Sequence, residues 1–159
     1  MSTEPLTDQE QAVMRAFGRL MVVMPKMLHA DLERTQRMSL SEYQVLRHLS
    51  ESTGGVMRMS ELAHVCDMSL SGMTRLAGKL EALGHLTRAR CESDGRGLDV
   101  TLTDAGLARL REAWPDHLAS VRRRVFDHLG SLDLVELARA LEAMNSSAGP
   151  ACHSAACDT

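Results

Sequence analysis

Short hydroxyl side chains and basic side chains occur together in one stretch of the sequence. They are Ser69, Ser71, Thr74, Arg75 and Lys79. Hydroxyls at a helix N-terminus allow the helix end to approach a phosphate, because the free N–H groups there attract anions. An arginine one turn further on can reach guanine O6 and N7, and a lysine beyond it is better placed for a backbone phosphate. The pattern predicts contacts with duplex DNA, and a solvated helix face is the alternative interpretation.

The local charge supports the DNA interpretation, although the charge of the whole chain does not. The 159 residues carry 18 Lys and Arg against 21 Asp and Glu, a formal net charge of -3. Between Ser71 and Arg90, however, four basic residues stand against one acidic residue, a local net charge of +3. A local concentration of positive charge attracts the negatively charged phosphate backbone of DNA.

Two helices are predicted ahead of this stretch. From about Thr7 to Arg37 apolar residues recur at three- and four-residue steps, and Pro25 should kink or break that helix. Ser39 and Glu42 have capping-box spacing for a second helix, followed by a loop over 51–55. One face of the first helix is formed by Phe17, Leu20, Met21, Met24, Leu28 and Leu32, and the second helix is predicted to carry Tyr43, Leu46 and Leu49 inward.

The next segment has the pattern of a helix-turn-helix. A short strand over 56–59 precedes a helix over 61–66, with Ser60 as the expected cap. A tight turn over 67–69 leads into a second helix over 70–83, which Gly84 should end in the left-handed conformation. Asp67 occupies the turn position where glycine is commonest, and aspartate tolerates left-handed geometry better than most residues. The predicted apolar positions are Leu62, Ala63, Cys66, Met68, Met73, Leu76, Leu80 and Leu83.

After Gly84 the hydrophobic period changes from helical to alternating. Leu86, Arg88 and Arg90 precede a glycine-containing loop, and Leu98, Val100 and Leu102 follow it, which predicts a hairpin. Two further helices are expected, one capped by Thr103 and bent at Pro115, the other starting after Ser131. The apolar stripe of the first consists of Leu107, Leu110, Trp114, Leu118, Val121 and Val125, and the second is predicted to bury Leu134, Leu137, Leu141 and Met144.

The predicted fold class is mainly α with a small β-hairpin wing. A winged helix-turn-helix lobe over about 39–103 carries N- and C-terminal dimerisation helices over about 8–37 and 104–145, so that one domain spans 8–145. The apolar faces of the terminal helices need a partner, and a second copy of the chain is the simplest one. The tail over 146–159 lacks apolar periodicity and is expected to be disordered.

Two stretches of the sequence resemble the MarR family of bacterial winged-helix regulators. One is residues 68–84, which are similar to the family's recognition helix, and the other is residues 94–103, which match its wing pattern. The resemblance covers about residues 10 to 145. It implies a triangular dimer whose recognition helices enter successive major grooves. It also implies that Asp94 and Arg96 belong to the wing and that Arg96 enters the minor groove, while Gly97 replaces a second arginine found in many members.

The predicted function is a sequence-specific DNA-binding transcriptional regulator, a ligand-responsive repressor that acts as a homodimer on a pseudo-palindromic operator. The alternatives are a winged-helix module for protein–protein contact without its own operator, and a thiol- or metal-responsive sensor. The sequence contains no phosphate-cradling glycine loop and no nucleophile elbow, so neither an enzyme nor a cofactor is expected.

A cytoplasmic location is expected for three reasons. No apolar run approaches the roughly 18 residues of a membrane span, residues 1–10 show no secretory signal, and the four cysteines are scattered. No membrane partner is therefore predicted.

Contacts with a small-molecule effector and with metals have only weak candidates. Met21, Met24 and His29 could contact an effector, but packing in the core or dimer seam is the preferred interpretation for the methionines, and an exposed or hydrogen-bonded side chain for the histidine. His48 and His64 share no metal-binding spacing with His29, and no metal site is predicted. A redox role for Cys66 or Cys91 would need an activated thiolate. Zinc binding by Cys152, His153 and Cys157 would need a segment that folds around the metal, and a solvated tail is the preferred interpretation there.

Overall fold

Helices and a small antiparallel sheet alternate along the chain in this computed structural model, which describes residues 4–90 and 97–147. In chain order the elements are α1 (Asp8–Gln36), α2 (Leu40–Glu51), β1 (Val56–Arg58), α3 (Met59–Val65), α4 (Leu70–Ala82), β2 (Leu86–Arg90), β3 (Leu98–Leu102), α5 (Asp104–Arg124) and α6 (Leu134–Ser147). Single turns of 3-10 helix occur at Thr53–Gly55 and Phe126–His128. The predicted class, a mainly α winged helix-turn-helix, is confirmed.

Side-chain caps fix where the first two helices begin. Thr7 and Glu10 form a capping box at α1, and Ser39 and Glu42 form the predicted one at α2. Pro25 does not break α1, which continues through it for 29 residues. A proline removes only one backbone donor, and the helix is held elsewhere by its cap and by packing against α5. Helix α5 likewise continues through Pro115.

The turns around α3 and α4 agree with the sequence in two places and differ in one. Asp67 has φ 50° and Gly84 has φ 75°, so both adopt the predicted left-handed conformation. The expected cap at Ser60 is wrong. Helix α3 begins at Met59, directly after β1, with Arg58 at the cap position and no side-chain cap bond. The chain passes from strand to helix without an intervening turn, which places Ser60 inside the first turn.

The sheet has the order β1-β3-β2, and both pairings are antiparallel. Arg88 pairs in register with Val100, and β2 is an edge strand. The N-terminus of α5 lies against the chain between α4 and β2. A side chain at Gly106 would overlap the carbonyl oxygen of His85 and would place its Cβ 2.8 Å from Leu102 Cδ1. Glycine at this position therefore permits the close approach of α5.

The hydrophobic core lies between α2, α3, α4, the sheet and α5. Its largest fully buried side chains are Tyr43, Leu32, Leu46, Leu49, Leu62, Met73, Leu80, Leu86, Val45 and Val100. Leu83 was predicted to be buried but is 56% exposed. Helix α4 ends one residue before it, so Leu83 no longer lies in line with the buried side chains of the helix.

Several apolar side chains of the terminal helices are exposed. Leu20, Met21, Trp114 and Leu118 belong to the predicted apolar faces, while Leu134, Leu141 and Met144 of the last helix were predicted to be buried. Phe17, Met24, Leu28 and Leu137 are half-buried. Helical periodicity identifies an apolar face but not what covers it, and among residues 4–90 and 97–147 nothing covers this one. Helix α6 also includes Ser146 and Ser147, so the predicted tail begins later than expected, and the rest of it lies outside the described residues.

Candidate nucleic-acid interface

The N-terminus of α4 presents hydroxyl groups at the surface. Ser69 is the N-cap and its Oγ accepts a hydrogen bond from Gly72 N at 3.1 Å. The Oγ atoms of Ser69 and Ser71 lie 3.3 Å apart, and Thr74 Oγ1 donates to Leu70 O at 2.8 Å. The two serines have two hydroxyl protons and use one of them in their mutual bond. One proton therefore remains for an anion at this helix end.

Arg75 and Leu70 lie on the same exposed side of α4. Together with Ser71 and Thr74 they line an open depression on the surface. Arg75 has no ion-pair partner within residues 4–90 and 97–147. Leu70 is 56% exposed and could contact a thymine methyl group. Leu70 was not predicted from the sequence as an exposed residue, because it precedes the buried Met73 and Ala77 by three and seven residues, which is the spacing of one helix face.

Lys79 is held by a partner from another helix. Its Nζ lies 2.6 Å from Oε1 of Glu42, whose side chain is only 6% exposed. Burial alone would raise the pKa of Glu42, but hydrogen bonds from Lys79 and Ser39 outweigh it and hold the pKa below its usual value. The same pairing raises the pKa of Lys79. The Lys79 side chain is still 62% exposed, and an ammonium has three donors, so a phosphate contact is compatible with the pair.

The basic residues of the lobe divide into two groups. Lys79 pairs with Glu42, and Arg88 of β2 pairs with Glu81 at 2.6 Å. Arg75 and Arg90 have no acidic partner in the part of the chain that the structure describes. The positive charge counted along the sequence is thus available mainly at Arg75 and Arg90. Asp94 and Arg96, the predicted wing residues, lie outside the described residues, between β2 and β3.

The effector candidates are spread along α1. Met21 is exposed, Met24 is half-buried, and His29 Nδ1 accepts a hydrogen bond from Leu40 N at 3.3 Å. His29 therefore links α1 to the first turn of α2.

The sensor alternatives have little support in the described residues. Burial raises the pKa of the Cys66 thiol, which is the opposite of an activated thiolate. Burial lowers the pKa of His48, whose ring nitrogen Nε2 lies 3.1 Å from Arg47. Within residues 4–90 and 97–147 no three His, Cys, Asp or Glu side chains come together as a metal site. Cys91, Cys152 and Cys157 lie outside these ranges.

A buried carboxylate that the sequence analysis missed joins α1 to α5. Asp31 is 7% exposed and accepts hydrogen bonds from Ser120 Oγ at 2.5 Å, Arg123 Nη2 at 2.9 Å and Arg124 Nε at 3.1 Å. The hydrogen bonds from Arg124 and Ser120 hold the pKa of Asp31 well below its usual range. The available signal was an acidic residue next to the buried Leu32 together with a run of three arginines late in α5.

A second missed feature is a pair of rings between α2 and α5. The centroids of Tyr43 and His117 are 4.2 Å apart. Tyr43 Oη and His117 Nδ1 are buried and have no hydrogen-bond partner among the described residues. Burial raises the pKa of Tyr43 to about 12 and lowers that of His117. The contact between α2 and α5 therefore contains two polar atoms with unused hydrogen-bonding capacity.

Comparison with known proteins agrees with this architecture. The sequence profile of the MarR family matches residues 38–97. AbsC, a MarR family transcriptional regulator from Streptomyces coelicolor, is 37% identical with a TM-score of 0.80, over 91% of this chain and 97% of AbsC. Sco3205, from the same organism and family and solved in complex with DNA, is 33% identical with a TM-score of 0.78, over 92% of this chain and 91% of Sco3205.

A relative from a second organism belongs to the same functional class. The HTH-type transcriptional regulator YpoP of Bacillus subtilis is 27% identical over 104 residues, which are 65% of this chain and 68% of YpoP. None of the described helices is long and apolar enough to cross a membrane. The relatives are transcriptional regulators and not enzymes, in agreement with the sequence prediction. The chain belongs to the MarR family of DNA-binding transcriptional regulators.

Proposed function

We propose that this protein is a ligand-responsive repressor that binds a pseudo-palindromic operator as a homodimer. The lobe over about 39–103 contacts DNA, and the helices over about 8–37 and 104–145 form the dimer. The observation that carries the proposal is the exposed side of α4, where Arg75 has no acidic partner among the described residues and lies beside Leu70 and the N-terminal hydroxyls.

The DNA contacts divide by chemistry along α4. Ser69 and Ser71 offer a hydroxyl and the helix N-terminus to a phosphate. Arg75, one turn further, has the paired donors that read guanine, with Thr74 and Leu70 beside it. Lys79 adds a phosphate contact at the far end of the helix. Asp94 and Arg96 are assigned to the wing on the resemblance alone, with Arg96 in the minor groove.

The homodimer is supported by apolar surface near both chain ends. On α1 the exposed residues are Val13, Met14, Leu20, Met21, Val22 and Val23. After the middle of α5 they are Leu118, Phe126, Leu132, Leu134, Val135, Leu141 and Met144. Soluble monomers rarely expose large apolar patches, so apolar side chains of this number and size are expected to be covered by a partner. A two-fold dimer covers the same patch on both subunits at once.

The ligand response is supported by the ring pair between α2 and α5. An organic effector with a hydrogen-bonding group could satisfy Tyr43 Oη or His117 Nδ1, which have no partner among the described residues. Occupation of this seam would change the angle between the DNA-facing lobe and the dimer helices, and hence the spacing of the two α4 helices. A ligand acts in this way only if it binds one arrangement more tightly than the other.

Footprinting on the promoter regions that flank the protein's own gene tests the DNA-binding proposal. Two-fold protein symmetry requires two related half-sites about one helical turn apart. The proposal would be supported by two symmetric protected segments in a promoter, together with lower transcription from that promoter in vitro when the protein is added. A folded dimer that protects no segment would instead favour the protein–protein interaction module.

Sedimentation velocity at micromolar concentration tests the dimer. Leu141→Asp in α6 should produce monomer or aggregate, because Leu141 belongs to the apolar surface near the chain ends. Val65→Asp in α3 places the same charge on an apolar residue that is also exposed, 40%, but belongs to the DNA-facing lobe, and it should remain a dimer. Wild-type protein that sediments as a monomer would contradict the homodimer.

A further inference from the structure

One carboxylate joins the recognition helix α4 to the first strand of the wing. Glu81, in the last turn of α4, accepts a hydrogen bond from the backbone N of Arg88 at 3.0 Å. It also accepts bonds from Arg88 Nε at 2.9 Å and Nη2 at 2.6 Å. A single side chain therefore holds both the main chain and the guanidinium of Arg88. This arrangement fixes the position of β2 relative to α4 and also limits its rotation.

The Glu81–Arg88 pair has space beside α4, and it also uses a backbone N–H of β2. A Cβ at Gly78 would lie 3.9 Å from both Nη atoms of Arg88, so the guanidinium extends across α4 at a position without a side chain. Strand β2 is at the edge of the sheet, and the Arg88 N–H that bonds Glu81 is directed away from β3. Glu81 thus satisfies an edge-strand donor that no neighbouring strand could pair.

The charge of Glu81 also needs an explanation, because it lies in an otherwise basic stretch. Between Ser71 and Arg90 it is the one acidic residue among four basic ones. A free carboxylate at this place would repel the phosphate backbone. The hydrogen bond from Arg88 lowers the pKa of Glu81, so this carboxylate keeps its charge at neutral pH. A negative charge beside DNA is therefore retained together with a partner that offsets it.

We infer that Glu81 is a positioning residue for DNA binding, which holds the wing through Arg88 at the angle where α4 and the wing contact one half-site together. Glu81 itself touches no DNA. Without it, the wing strand has to be ordered during binding, and ordering a segment costs affinity. The inference rests on the proposed function, since it requires that both α4 and the wing contact DNA.

Glu81→Gln tests the inference because it keeps the size of the side chain and removes its charge. Operator binding should weaken about five- to tenfold, the size of effect expected for loss of a charge-assisted bond. The slope of log affinity against log salt should fall by no more than about one per subunit, because the wing arginine is the only charged contact with DNA that this variant loses. Hydroxyl-radical protection in the minor groove at the wing position should disappear, while protection around the major-groove contact of α4 remains.

Glu61→Gln is the matched control. Glu61 is an exposed acidic residue of α3 in the same lobe, so its substitution removes the same charge without touching the wing. It should bind the operator as tightly as wild type or more tightly. Bulk electrostatics predicts the same direction for both variants, whereas the positioning role predicts opposite directions.

The outcomes separate this inference from the function on which it rests. Wild-type protein that binds no operator refutes the proposed function. If wild type binds and Glu81→Gln matches Glu61→Gln with the wing protection intact, the positioning role is overturned. Circular dichroism melts confirm folding. Should Glu81→Gln be unfolded, Arg88→Lys decides, because it keeps the charge but not the paired donors. If a folded Arg88→Lys variant keeps the wild-type operator affinity and wing protection, the inference is overturned. A partial loss of both supports it.

Discussion

Replacing Asp31 with asparagine should destabilise the fold, because this carboxylate is the centre of the contact between α1 and α5. Asparagine has nearly the same size and keeps one acceptor oxygen. It removes the charge and turns two N–H donors toward groups that are themselves donors. Ser120, Arg123, Arg124 and Arg34 all bond this carboxylate, and the single oxygen that remains in asparagine cannot accept from all of them.

The expected size of the effect follows from the exposure of each partner. The side chains of Arg34 and Arg123 are 65% and 52% exposed, so solvent screens both and each contributes little. Arg124 is 37% exposed and Ser120 is buried, so these two account for most of the stabilisation. Loss of charge-assisted hydrogen bonds of this kind costs about 2 kcal/mol. For a chain of this size that corresponds to a melting temperature lower by roughly 4–8 °C.

The pH dependence gives a second, independent readout. The pKa of Asp31 is lowered in the folded chain, so its contribution is complete above the unfolded value of about 4 and is lost as the pH falls through the lower folded value. The difference in unfolding free energy between wild type and Asp31→Asn should therefore be constant from about pH 5 to about pH 8 and should shrink below about pH 4.

Urea unfolding followed by circular dichroism measures both effects, with all variants at one protein concentration because a dimer's stability depends on it. Glu33→Gln, an exposed acidic position on the same helix, is the control and should change stability little. The reasoning would be refuted by an Asp31→Asn variant as stable as Glu33→Gln at pH 7. A difference that stays the same in acid would show that the charge of Asp31 is not its cause.

The remaining predictions concern the close approach of α5 and the DNA contacts. Gly106→Ala should lower the free energy of unfolding by about 1–3 kcal/mol. The control, Gly78→Ala, has a Cβ that meets only ordinary contacts and should raise the free energy of unfolding by about 0.5–1 kcal/mol. Equal urea midpoints for the two variants would contradict the overlap with His85. Arg75→Ala should weaken binding to the operator by about 1–3 kcal/mol and binding to a nonspecific duplex much less. An equal loss of affinity for the operator and for the nonspecific duplex would show that Arg75 contacts phosphate instead of a base. Arg96→Ala should weaken operator binding by roughly 1–3 kcal/mol and lower the salt slope by about one per subunit. Asp94→Ala should also weaken binding if Asp94 orients a basic side chain, and tighter binding in a salt titration would rule that role out.

The sequence by itself determined the features that depend on neighbours along the chain. The capping box of Ser39 and Glu42 and the left-handed turns at Asp67 and Gly84 follow from local stereochemistry. The helical and alternating periods placed α4 and the strands β2 and β3 close to their observed bounds. These preferences act over a few residues, so a pattern along the chain is enough to predict them. The hydroxyls and Arg75 on the outer side of α4 were found for the same reason.

Only the tertiary structure decided which charged groups meet and which apolar faces remain uncovered. Lys79 and Arg88 were counted as free positive charges, yet they lie against Glu42 and Glu81. Asp31 is buried because α5 brings Arg123, Arg124 and Ser120 to it, and the sequence does not say which acidic residue of α1 these side chains meet. Leu141 belongs to a regular apolar stripe, but a stripe does not say whether its cover comes from the same chain. Each of these outcomes depends on the distance between elements far apart in sequence, which periodicity and local propensity do not contain.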